Sequence, residues 1–309
     1  MKLCRLFLFG SLLIVGCRPT SPPAPVTSQS EAAVPSYPVA NGIVGFRIQA
    51  PSPSLTGLPI WHHGDDTSDG RLTQWPNPLD WEWNLPSSSE GMTVEPSGDG
   101  RGLTLAMPET WSLTTAVSES RAEFTQTIRL EASPNPISID FAKLPENWTK
   151  SDSPTDWGTK RILTGPSGRQ IDVEFRLPPD WTTEEKNGTL SLRGQAPAEI
   201  GITVRLRLPN ASISKAAPSM AELEIDGPDE DREHVAGAIR TLRAQLARSG
   251  RPSGPFGLTS DRFEGRVFWD ADLWVLPACL ILDPPVAKLI AEFRLNTLGQ
   301  AAKNDKLWR

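Results

Sequence analysis

From Tyr37 to about Met220 the chain alternates apolar and polar residues at a period of two, with Gly, Pro, Asn and Asp breaking the pattern at short intervals. The runs that stand out are Ile43–Gln49, Leu103–Ala106, Ala122–Glu131, Ile137–Phe141, Arg169–Arg176, Thr189–Arg193 and Ile200–Leu208. In one, Ile171, Val173, Phe175 and Leu177 alternate with Asp172, Glu174 and Arg176; in another, Ile200, Ile202, Val204, Leu206 and Leu208 alternate with Gly201, Thr203, Arg205 and Arg207. Many short strands of this kind, closely spaced by turns, predict a large antiparallel β-sandwich over residues 37–225. Past Asp226 the period becomes helical. Pro228 suits a first helical turn, Asp229, Glu230 and Asp231 suit the positive helix end, Val235, Ile239, Leu242 and Leu246 recur on one face, and Gly250 closes the helix. That helix, residues 226–250, would link the sandwich to a second, helical region. Asp272–Leu282 then reads as a buried helix that Pro277 should kink. Asp283-Pro284-Pro285 is a stop and a fresh start, after which Val286, Leu289, Ile290 and Phe293 line one face of a second helix. The fold class is mainly β: a large antiparallel sandwich followed by helices.

The amino terminus carries a different pattern. Lys2 and Arg5 precede an apolar run from Leu6 to Val15, long enough for a signal peptide and too short to span a bilayer. It ends Ile14-Val15-Gly16-Cys17, which resembles a bacterial lipoprotein box. Residues 1–16 are then a signal peptide, and Cys17 is the lipidated residue that anchors the protein to a membrane. Arg18, rather than Asp, follows it, which favours the outer membrane where the cell has one. Residues 17–36 are rich in Pro, Ser, Thr and Ala and read as a disordered tether. The expected location is the bacterial cell envelope.

Composition narrows the function classes. Roughly 270 of the 309 residues remain after signal and tether, enough for two domains or one large one. A net charge of −6 offers no basic stripe for nucleic acid. Of three Cys, Cys4 leaves with the signal and Cys17 takes lipid, so Cys279 stands alone and no disulfide framework is expected. Eleven Trp against one Tyr fit a carbohydrate-handling protein and a β-sandwich core equally. Trp61-His62-His63-Gly64-Asp65-Asp66 invites a metal, yet adjacent residues of a strand face opposite ways and no third ligand appears at a suitable spacing; we read a polar loop, with no metal and no cofactor. Trp75, Trp81 and Trp83 form either a sugar platform or, as we expect, packing under a loop. Asn147, Asn187 and Asn210 open glycosylation sequons that a bacterial lipoprotein leaves unmodified.

The segment from Gly254 to Pro277 concentrates the candidate chemistry. Phe268-Trp269-Asp270 sets a large aromatic face beside a carboxylate. A pyranose can lay its C–H face on such an indole while the carboxylate accepts from ring hydroxyls; a core Trp with Asp270 capping a helix explains the same residues. Gly257-Leu258-Thr259-Ser260, Gly265, Phe268-Trp269-Asp270, Asp272 and Trp274 resemble the start of the catalytic domain of glycoside hydrolase family 65, with Arg266 at the position where the family carries His. Leu282-Asp283-Pro284, Glu292-Phe293-Arg294, Thr297-Leu298 and Ala301-Ala302 continue the likeness. Upstream, Ala40-Asn41-Gly42-Ile43-Val44-Gly45 resembles the family's opening Gly-rich strand.

The resemblance implies a sandwich, a linker helix, and from residue 251 to 309 the first helices of an incomplete (α/α)6 barrel acting on an α-glucoside or oligosaccharide. It implies substrate-binding roles for Trp269, Asp270 and Asp272, and no catalytic residue within the chain, because the family's proton donor is a Glu far downstream of the Phe-Trp-Asp run. Inverting cleavage needs that acid and a base or phosphate opposite it. The expectation is thus the amino-terminal portion of an exported hydrolase, inactive alone, with export favouring hydrolysis over phosphorolysis. Two other readings are a non-catalytic glycan-binding surface lipoprotein and a sandwich that binds no glucoside.

Overall fold

A computed structural model of the protein describes residues 36–41, 43–49, 60–66, 72–78, 80–85, 91–97, 101–118, 121–133, 135–207, 226–245 and 271–308. The expected signal peptide, Cys17 and the expected tether up to residue 35 lie outside these residues, while Ser36, expected to end the tether, opens the first strand. The strands in chain order are β1 (Ser36–Ala40), β2 (Val44–Gln49), β3 (Ile60–Asp66), β4 (Leu72–Trp75), β5 (Trp81–Trp83), β6 (Thr93–Pro96), β7 (Gly102–Met107) and β8 (Trp111–Val117). They continue with β9 (Glu123–Leu130), β10 (Ile137–Phe141), β11 (Thr149–Thr155), β12 (Gly158–Thr164), β13 (Gln170–Arg176), β14 (Thr182–Lys186), β15 (Thr189–Gly194) and β16 (Ala198–Arg207). Three α-helices follow among the described residues: α1 (Asp229–Gln245), α2 (Leu276–Leu282) and α3 (Pro284–Trp308). The mainly-β architecture with helices at its carboxyl end is the one the periodicity predicts.

The strands form three antiparallel sheets. The largest has the order β11-β12-β13-β16-β9-β8-β7-β6; the two smaller ones run β1-β2-β3-β4 and β14-β15-β10-β5. One hydrophobic cluster draws on all three sheets. Phe46 of β2 meets Phe124 of β9 at a 4.9 Å ring separation, Trp83 of β5 meets Trp111 of β8 at 4.8 Å, and Phe141 of β10 meets Phe175 of β13 at 5.4 Å. Both small sheets therefore pack against the large one, as a sandwich requires.

The alternation seen along the sequence decides which side of each strand enters the core. Ile171, Val173 and Phe175 of β13 and Ile200, Ile202, Val204 and Leu206 of β16 are all buried. Asp172, on the opposite side, is also buried, because Lys160 at 3.4 Å and Arg207 at 2.7 Å close over it. Trp81 and Trp83 belong to the interior: their rings lie 5.4 Å apart, and the Trp81 indole donates to Gln126 Oε1 at 3.0 Å, whose Nε2 reaches Thr115 Oγ1 at 3.2 Å. A buried polar chain of this kind is stable because its donors are met.

Two local devices set the frame. Asn187 and Gly188, with φ of 54° and 81°, form the two-residue turn between β14 and β15, where Lys186 pairs with Thr189. Both central residues of such a turn need positive φ, which Asn-Gly supplies at little cost. Asn41 ties the first small sheet to the large one. Its Oδ1 accepts from the Ile43 and Val44 amides, both at 2.9 Å, and its Nδ2 donates to the Ser118 and Arg121 carbonyls at 2.7 and 2.8 Å.

Candidate functional site

The helical segment begins with α1. Three acids occupy its first turn, Asp229, Glu230 and Asp231, beside the unsatisfied amides of the helix start. Arg232 pairs with Asp229 one turn away. Leu242 packs on the cluster formed by α2 and α3, while Val235, expected on the same buried face, is 44% exposed. Leu246 and Gly250 lie outside the described residues.

The expected single helix from Asp272 to Leu282 is two pieces. Ala271–Val275 winds as a π-helical turn and α2 starts at Leu276, with Pro277 in its first turn. Proline has no N–H and its ring crowds the carbonyl four residues back, so the chain before it cannot hold the ordinary α-helical ladder. The kink predicted from Pro277 is thus taken up as this change of winding. At the far end of α2, the Asp283 amide donates to the Cys279 carbonyl at 2.8 Å. Asp283 then opens α3: Val286 N–H donates to its Oδ1 at 3.2 Å, with Pro284 and Pro285 filling positions where a helix leaves amides unpaired. Cys279, Val286, Ala287 and Ile290 are buried together, and Val275, Leu276 and Leu242 pack against them. Leu289 and Phe293, expected on that face, are half-buried.

Of the sequence-derived site residues, Trp269 and Asp270 lie outside the described residues. Asp272 is half-buried in the π-helical turn, and its Oδ1 accepts from Arg294 Nε at 2.8 Å. That ion pair joins residues 22 apart and holds α3 against the turn. No periodicity reveals such a pair; Glu292-Phe293-Arg294 draws notice only as part of the family likeness. Glu292 itself lies 3.6 Å from Lys288. Among residues 271–303, then, Asp272 is engaged with Arg294, Asp283 caps a helix and Glu292 faces a lysine.

Other large apolar side chains of this segment face outward. Leu273, Trp274, Leu280, Ile281, Leu295 and Leu298 are all more than half exposed, with Trp274 at 70%. Cys279 is inert by contrast: burial, and then the nearby Asp283 carboxylate, push its thiol up to about 11. Among the described residues no three His, Cys, Asp or Glu side chains gather as a metal site, and no helix is long and apolar enough to cross a membrane.

Comparison with known proteins bears on this segment. Residues 239–307 match the glycosyl hydrolase family 65 central catalytic domain, a match that begins inside α1. The chain is 36% identical over 87 residues to a kojibiose hydrolase of Mucilaginibacter mallensis, covering 27% of this chain and 13% of that protein. It is 34% identical over 94 residues to the protein-glucosylgalactosylhydroxylysine glucosidase of Mus musculus, covering 27% of this chain and 14% of that protein. A nigerose phosphorylase of Lachnoclostridium phytofermentans is 27% identical over 106 residues, 34% of this chain and 14% of its own length. The chain thus spans only about a seventh of the length of these relatives. Over its helical carboxyl segment, this protein resembles the family-65 glycoside hydrolases.

Proposed function

We propose that this chain contributes the β-sandwich and the first barrel helices of a family-65-like α-glucoside hydrolase, exported and anchored to the cell envelope through Cys17. The observation that carries this reading is the family match over residues 239–307. The outward apolar side chains of residues 271–298 support it, because exposed apolar surface of this extent is what further barrel helices would cover. Trp269 and Asp270 hold a glucosyl unit in this reading, the indole under its C–H face and the carboxylate on its hydroxyls. Asp272, tied to Arg294, positions that turn and lends a hydroxyl acceptor through its other oxygen.

The bond-breaking chemistry comes from elsewhere. Inverting cleavage needs two carboxyls about 6.5–9.5 Å apart, one to protonate the leaving oxygen and one to activate water. The carboxyls of residues 271–303 are each engaged in other contacts. Incubation of the purified chain with kojibiose, trehalose and maltose, with detection of glucose, is expected to show no release above buffer. Clear turnover of any of them would refute the division of labour between binding here and proton transfer elsewhere.

A further inference from the structure

We propose that the β-sandwich carries a saccharide site of its own, separate from the Phe-Trp-Asp run. A cleft of about 530 Å³ opens where the segment 75–80, the segment 141–148 and strands β12 and β13 meet. That volume lies within the range of small-ligand sites, about 300–1,000 Å³.

The walls are aromatic and held in place. Trp75 and Trp148 rings lie 6.1 Å apart at 53°. Trp75 is buried and Trp148 half-buried, so of the two indoles Trp148 is the one a ligand can reach. Its orientation is fixed from behind by Gly165, where an added Cβ would fall 2.5 Å from the ring. The Trp148 amide also donates to the Pro145 carbonyl at 3.0 Å, which shapes the loop that carries it. An indole that needs no rearrangement to receive a ligand saves ordering cost on binding.

The floor supplies a buried cation whose charge is already balanced. Arg161 is 8% exposed. Its Nε and one terminal nitrogen donate to the two Asp152 oxygens at 2.8 and 2.7 Å, and that nitrogen also reaches Glu185 at 2.9 Å. The Arg161 hydrogen bond holds the Asp152 carboxyl below its ordinary range, so the pair stays ionised. Lys143 and Asp80, of opposite sign, also line the cleft, and Asn77 and Asn147 add amides. A nucleotide or an acidic peptide would meet no net positive field here. A neutral ligand with an apolar face and many hydroxyls suits an indole wall, amide rim and compensated guanidinium. The ligand class is therefore a neutral hexosyl unit of a glycan.

The test is calorimetric titration of the purified chain with D-glucose, maltose and trehalose. Two variants act on the cleft: Trp148→Ala removes the wall, and Ala142→Trp fills the space from an exposed lining position without touching the core. Trp269→Ala removes the other proposed site. Circular dichroism of each variant establishes that it folds. Millimolar binding that survives Trp269→Ala, and that weakens at least about tenfold when Ala142→Trp or Trp148→Ala is added to Trp269→Ala, is the expected result, each tenfold being about 1.4 kcal/mol. Binding that disappears in Trp269→Ala alone and ignores both cleft variants overturns the proposal while leaving the Phe-Trp-Asp site standing. Absence of binding to all three saccharides overturns it as well.

Discussion

Replacing Asn41 by Ala should weaken the sandwich more than any comparable truncation of one small polar side chain. Asn41 is 1% exposed and uses all four of its hydrogen-bonding positions, two within its own turn and two on backbone 77 and 80 residues away. The truncation strands two amides and two carbonyls at once. A typical intramolecular hydrogen bond contributes about 0.5–1.5 kcal/mol net, and a buried group left without a partner costs about 1–3 kcal/mol. The Ser118 and Arg121 carbonyls are only partly buried, so water recovers some of their loss. The expected destabilisation is about 4 kcal/mol, a large share of the roughly 5–15 kcal/mol that holds a domain together. Urea unfolding monitored by tryptophan fluorescence measures it, since Trp75, Trp81 and Trp111 are buried in the sandwich. Asn41→Asp separates the acceptor contacts from the donor contacts. The introduced carboxylate keeps both acceptor contacts but faces two carbonyls, so its proton is held more tightly in the folded state. Relative to wild type, that variant is most stable below the ordinary carboxyl pKa and loses stability as pH rises through the raised one. A shift below about 1 kcal/mol for Asn41→Ala would refute the claim that this residue ties the sheets together.

Two further expectations concern the helical segment. The unfolded chain releases the Cys279 proton near 9.0 and the folded chain only near 11, so the folded state binds more protons between those values and its stability falls as pH rises. The full loss is about 2–3 kcal/mol; helix unfolding across that range by circular dichroism should show it, and Cys279→Ala should flatten it. Asp283→Ala removes the cap of α3 and should cost about 1–2 kcal/mol, read from the same unfolding curve; an unchanged curve would mean that the Val286 contact contributes nothing.

Much of this was legible along the chain because burial on one side of a strand leaves a period of two. The runs around Phe124, Val173 and Ile202 coincide with β9, β13 and β16 to within a residue or two. Strands without that signature escaped. The side chains of β14 are exposed throughout, and β11 is almost wholly exposed at a sheet edge with Pro154 in it. Asp283 with its two prolines was readable because capping is local. The Asp272–Arg294 pair and the cleft around Trp148 were not, since each is assembled from residues that only the folded chain brings together. Trp75 and Trp81 were correctly expected under cover; Trp148, the middle residue of a sequon and outside any alternating run, gave no sign of its cleft.

Titration of kojibiose into Ala142→Trp, in which the sandwich cleft is filled, and into the same variant carrying Trp269→Ala isolates the Phe-Trp-Asp run. The proposed function requires binding at a dissociation constant on the order of 1 mM in the first and its loss in the second. No binding to Ala142→Trp, or equal binding by both, would contradict a glucoside site in the Phe-Trp-Asp run.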